Sequence, residues 1–134
     1  MELHLTIDCH DARVLVPFWC AALDYEPAPP PEGHDTWRSW YLSVGVPEDE
    51  LRDGDCTDRI RDPEGVRPPI WFQPVPERKT VKNRLHLDLK LGSAELVEAR
   101  LEVLLGLGAT VVRRPEGRYA VTIQDPEGNE LCLF

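Results

Sequence analysis

Leu3-His4-Leu5, near the start of the chain, returns as Leu85-His86-Leu87, and Asp62-Pro63-Glu64-Gly65 returns as Asp125-Pro126-Glu127-Gly128. In each half the first motif opens an alternating segment, and the second motif precedes a closing one. A helix-patterned segment and further strand-patterned segments lie between. Matches at equivalent places in two halves with the same element order describe a duplicated βαβββ unit. The first module is expected over residues 1–76 and the second over residues 83–134, within one domain. A chain of 134 residues is long enough to bury one core.

The hydrophobic period predicts the elements. Glu2–Asp8 and Asn83–Leu91 alternate as strands. Leu3, Leu5 and Ile7 share one face of the first, and Leu85, Leu87, Leu89 and Leu91 share one face of the second. Asp11 is a suitable N-cap for a helix reaching Leu23, with Val14, Phe18, Ala21 and Ala22 as its apolar stripe. Pro17 is expected to kink that helix or to start it. The aromatic stretch Thr36–Val46 predicts a strand, and the acidic stretch Pro47–Pro69 a long irregular loop. Ile70–Val75 is a strand with Trp71, Gln73 and Val75 on one face. Ser93 caps a helix to Leu107 carrying Val97, Leu101, Leu104 and Leu105. Ala109–Arg113, Arg118–Gln124 and Asn129–Phe134 complete the strands. The expected fold is α+β: the Leu and Ile faces lie under the two helices, and the opposite faces of a curved mixed sheet surround a cup.

The parity of the strands selects residues for that cup. His4 and His86 come from the opening strands, Gln73 and Cys132 from the closing ones, and Glu130 shares the face of Cys132. Imidazole, thiolate, amide and carboxylate donors together suit Zn²⁺, Fe²⁺, Ni²⁺ or Mn²⁺. The same histidines also serve as hydrogen-bonded polar residues in a solvated pocket with no ion. Glu130 has the chemistry of a general base. Arg84 can clamp a carboxylate or phosphate, or pair with Asp88 or Glu130. Trp37, Trp40, Tyr41 and Trp71 can wall an apolar ligand or pack in a core or dimer interface.

A formal charge of −9 argues against nucleic acid and anionic membrane surfaces as partners. No apolar run approaches a membrane span. The alternating pattern begins at Glu2, so no signal peptide is expected, and the expected compartment is the cytoplasm. Cys9, Cys20, Cys56 and Cys132 have no paired spacing and read as free thiols.

Several stretches together resemble the vicinal oxygen chelate superfamily, and in particular small bacterial glyoxalase-like and bleomycin-resistance proteins. They are Phe18-Trp19 with Leu23 and Tyr25, Phe72-Gln73, Lys82-Asn83-Arg84-Leu85-His86-Leu87-Asp88, and Asp125-Pro126-Glu127-Gly128-Asn129-Glu130-Leu131-Cys132. The resemblance spans essentially the whole chain. It implies a homodimer and a small-molecule ligand. Carried over by position, it implies metal ligands at His4, Gln73, His86 and the closing strand. There the family's glutamate falls on Cys132, with Glu130 two residues earlier. A metal-dependent lyase or isomerase of glyoxalase type acting on vicinal oxygens is the first functional expectation. A metal-free protein that binds drug-like molecules is the alternative, and an extradiol-type dioxygenase fits less well.

Overall fold

A computed structural model describes all residues from Met1 to Phe134. The first module holds β1 (Leu5–Cys9), α1 (Ala12–Leu23), β2 (Glu26–Pro27), α2 (Trp37–Ser43), a 3-10 turn at Glu48–Glu50, β3 (Arg59–Arg61) and β4 (Ile70–Pro74). The second holds β5 (Leu87–Leu89), α3 (Ala94–Gly106), β6 (Thr110–Arg113), β7 (Val121–Gln124) and β8 (Glu130–Leu133). Each module makes one four-stranded sheet, in the orders β1-β4-β3-β2 and β5-β8-β7-β6. In both, the opening strand pairs in parallel with the closing strand and the other ladders are antiparallel. The duplicated plan expected from the repeat is therefore present, with α2 as an insertion in the first half.

One core joins the halves. Leu15, Phe18 and Trp19 of α1, Ile60, Ile70 and Phe72 of the first sheet, Val97, Leu101 and Leu104 of α3, and Val121, Ile123, Leu131 and Leu133 of the second sheet form a single buried cluster. In the β1–β4 ladder Leu5 pairs with Ile70 and Ile7 with Phe72, so these four share the core face and Thr6, Asp8, Trp71 and Gln73 the other. Helix α1 begins where Asp11 accepts a hydrogen bond from the Arg13 amide at 3.0 Å, and ends where Asp24 turns left-handed at φ 55°. A bidentate contact from Arg100 of α3 fixes the Asp24 carboxylate, with both distances at 2.8 Å. Ser93 caps α3 through the Leu96 amide.

Four local expectations are corrected. Thr36–Val46 is not a strand: Trp37–Ser43 is helical, with Thr36 accepting from the Ser39 amide at 3.0 Å. Its aromatic residues follow helical spacing, i, i+3 and i+4, which β propensity concealed. The irregular loop hides β3, whose single apolar residue, Ile60, is fully buried. Pro17 does not start α1, which runs on both sides of it, and it sits on the exposed side; Val14 is exposed too, and Leu15, Val16 and Trp19 carry the buried stripe with Phe18. Both opening strands are shorter than their patterns, so Leu3 and Leu85 are exposed and His4 and His86 precede the strands.

Candidate functional site in the seam between the modules

The repeated Asp-Pro-Glu-Gly motif builds the same turn twice. In both copies the glycine amide donates to the aspartate carbonyl at 3.0 Å, and the glycine φ is positive, 67° at Gly65 and 91° at Gly128. The two aspartates have opposite electrostatics. Asp62 accepts from the Arg67 guanidinium and from the amides of Glu64, Val66 and Arg67, and the guanidinium holds its carboxyl well below the usual range. Asp125 has no cation. It accepts from the Glu127 and Asn129 amides, the Asn129 side chain and the Trp19 indole at 2.8–3.0 Å. Burial nevertheless pushes its pKa up.

The pH signs follow. The depressed Asp62 contributes stability that is present above the unfolded carboxylate pKa and is lost as pH falls through the folded one. The raised Asp125 favours folding only while protonated, and works against it as pH rises past the unfolded value. Asp62→Asn is therefore expected to flatten the acid limb: its urea midpoint should fall less than that of wild type between about pH 5 and pH 2. An unchanged slope would show that Asp62 is not a source of the acid sensitivity.

The second turn also reaches across the molecule. Glu127 accepts from the amides of His10 and Asp11, both at 2.6 Å, so a carboxylate from the second module closes the start of α1 in the first. Beside this tie lies a cavity of about 540 Å³ between β1, the connecting segment 75–87 and residues 127–130. Leu5, Ile7, Trp19, Val75, Leu85 and Leu87 give it an apolar lining. Arg78, Lys79, Asn83, Arg84 and His86 face it with Asp8, Glu77, Glu127 and Glu130.

The structure brings Glu130, Arg84 and His86 to this cavity and places the other selected residues elsewhere. Glu130 is buried and contacts the Lys82 ammonium, and its amide donates to Asn83 Oδ1 at 3.3 Å. Lys82, with smaller contributions from Lys79 and His86, keeps its carboxyl below the ordinary value. His86 Nδ1 lies 3.1 Å from Asp88, and His4 Nε2 lies 3.1 Å from Glu2. Cys132 is half-buried on β8 opposite Asp88, and Gln73 is half-buried opposite Asp8. No three His, Cys, Asp or Glu side chains converge with the spacing of metal ligands. The lone pairs of Glu130 face a lysine, and each histidine faces its own carboxylate. The donor set does not fit a divalent ion. Trp37, Trp40 and Trp71 gather around Arg59 on the face of the first sheet turned away from its core, apart from this cavity.

A family model described as a glyoxalase-like domain matches residues 4–134. The chain belongs to the glyoxalase-like domain family. Solved structures with the same fold lie at low identity. A glyoxalase/bleomycin resistance protein/dioxygenase family enzyme from Burkholderia phytofirmans is 15% identical, with a TM-score of 0.61 over 97% of this chain and 94% of that one. A possible glyoxalase from Bacillus cereus is 14% identical, with a TM-score of 0.61 over 100% and 97%. A variant of the fosfomycin resistance protein FosX from Listeria monocytogenes, complexed with Mn(II) and dihydroxypropylphosphonic acid, is 15% identical, with a TM-score of 0.59 over 97% and 85%. No curated protein matches the sequence. Within this glyoxalase-like protein, Asn83 and Glu127 line the cavity and Lys82 contacts Glu130 there, and pattern reading selected none of the three. Their signal was present, since Lys82 and Asn83 immediately precede Arg84 and Glu127 sits in the repeated turn, but alternation assigns no partner across 48 residues, as Lys82–Glu130 requires.

Proposed function

We propose that this glyoxalase-like protein binds a small organic anion with an apolar body in the seam cavity, and does so without a divalent ion. The observation that carries this reading is the pairing in the cavity wall. Lys82 already neutralises Glu130, while the Arg84 and Arg78 guanidiniums beside it have no carboxylate partner in a chain of net charge −9. Unpaired guanidiniums over a leucine-rich floor suit a carboxylate or phosphonate head with a hydrocarbon tail. The FosX complex, whose ligand is a phosphonic acid, supports the ligand class, although that complex also holds Mn(II).

The state of Glu130 favours binding over isomerisation. A base that abstracts a proton beside a carbonyl works best with a pKa near the working pH. Glu130 is held low by Lys82, which makes it a fixed negative charge that orients a ligand hydroxyl. The metal-dependent glyoxalase reading would need Glu130, His86 and the strand donors to leave their present partners. The aromatic residues Trp37, Trp40 and Trp71 take no part in this seam.

Calorimetric titration with propylphosphonate, using protein stripped with chelator and then dialysed into chelator-free buffer, tests the reading. Wild type is expected to bind, Arg84→Ala to bind about tenfold more weakly, and added Mn²⁺ to leave the affinity unchanged. Binding that appears only with Mn²⁺ or Zn²⁺, together with about one metal per chain by elemental analysis, would return the site to the metal-dependent class.

A further inference from the structure

Arg59 does not line the seam cavity and is the one arginine of its degree of burial that lacks a hydrogen-bonding partner. Its side chain is 27% exposed, as is that of Arg38, and Arg100 is 21% exposed. Arg38 donates to Glu48 and to the Arg52 carbonyl, and Arg100 to Asp24 and the Ala21 carbonyl. Arg59 comes no nearer to a carboxylate than 3.9 Å, from Nε to Asp58 Oδ1. That oxygen is itself buried without a partner. The other oxygen of Asp58 is occupied by Tyr41 Oη at 2.5 Å and the Trp71 indole at 2.9 Å, so the carboxylate is aligned by neighbours other than Arg59.

Three indoles surround the guanidinium. Its carbon lies 4.4 Å from the Trp37 ring centroid, 5.3 Å from Trp71 and 5.6 Å from Trp40. The rings stabilise the cation through their faces and exclude water, but they accept nothing from the in-plane N–H groups. Trp37 is itself fixed, because its indole donates to the Ala28 carbonyl at 2.8 Å. Arg59 and Trp37 line a second, open cavity of about 500 Å³, with Pro29, Arg61 and Arg67 on its walls. The carboxylates of Glu2, Asp62 and Glu64 are among them, so an anion there must bind at Arg59 against that negative rim. Arg61 and Arg67 are engaged by Glu26 and Asp62, which leaves Arg59 as the free fork.

We propose that Arg59 anchors a second ligand site, for a small carboxylate with a flat apolar body. The carboxylate is planar and bidentate, so it matches the fork of unused N–H donors. The flat body lies against Pro29, Pro63 and Pro69 on the cavity wall, while Trp37, only 5% exposed, backs the guanidinium and reports on it. This site does not depend on the seam, and the two can fail separately.

Benzoate is the probe, with benzamide as its uncharged control. In labelled protein, benzoate is expected to shift the Trp37 indole and Arg59 Nε–H signals saturably at millimolar concentration, and benzamide to leave them in place. Arg59→Met, which keeps the stem but not the charge, should weaken binding about tenfold or more. Arg59→Lys keeps the charge and loses the fork, should weaken it severalfold, and decides the matter if the methionine variant fails to fold. The site is overturned by absent shifts in wild type, by equal shifts with benzamide, or by wild-type affinity in the variants. Shifts confined to the Trp19 indole and the His86 ring would place benzoate in the seam and would equally overturn it.

Discussion

Trp19→Ala is expected to remove about 3–5 kcal/mol of folding stability. Trp19 is 1% exposed and sits in the cluster shared by both modules. Its loss leaves a large void between α1 and the second module, and it strips one donor from the buried Asp125. A domain of this size is stable by roughly 5–15 kcal/mol in total, so the variant should unfold at a much lower denaturant concentration or not fold at 37 °C. Trp19→Phe separates the two effects, since it keeps much of the volume and loses only the indole N–H; about 1–3 kcal/mol is expected there. Guanidinium unfolding curves decide this. A Trp19→Ala loss below about 1 kcal/mol would mean that the seam closes over the void and that the packing account is wrong.

Asp125→Asn is the second large effect, and its sign has two contributors. The raised pKa shows that burying this carboxylate is costly, and an uncharged amide removes that cost. Against this stand the donors. Glu127 and Asn129 amides point at one oxygen, and the Trp19 indole and Asn129 side chain point at the other. An asparagine in either orientation turns its NH₂ towards two N–H groups. The loss of two acceptor contacts outweighs the relief of charge, and a net destabilisation of about 2–3 kcal/mol is expected at neutral pH. The variant should also lose the rise in stability on mild acidification that the raised pKa predicts. A double-mutant cycle with Trp19→Phe should be non-additive, because the two share one hydrogen bond. Strict additivity would count against the contact.

The module plan was legible because it repeats. Alternation and the Asp-Pro-Glu-Gly turns locate both halves and the apolar faces of their strands, whereas the parallel pairing of opening and closing strands is seen only in the fold. The insertion was less legible. Trp37, Trp40 and Tyr41 have strong strand propensity, and only the Thr36 cap and the i, i+3, i+4 spacing point to the helix they form. Arg59–Arg61 carries one apolar residue, too few to show a period. In the site, Glu130, Arg84 and His86 line the cavity, but so do Leu5, Ile7, Leu85 and Leu87 from the face that parity assigned to the core. Arg84 and His86, like His4, lie outside the strands, where alternation no longer separates two faces. Nor can a pattern within one segment reveal a partner far along the chain. Lys82 on Glu130, and Glu127 on the start of α1, are contacts of tertiary origin.

The Glu127 tie bears on how the polypeptide is made. Residues 10–19 leave the ribosome early, yet the carboxylate that closes their helix and the aspartate that holds Trp19 are more than a hundred residues downstream. At a synthesis rate of about 5–20 residues per second, the first module waits several seconds for its last native contacts. During that interval its apolar face has no second half to cover it. The duplication thus produced two halves that resemble each other in plan while neither is finished without its counterpart.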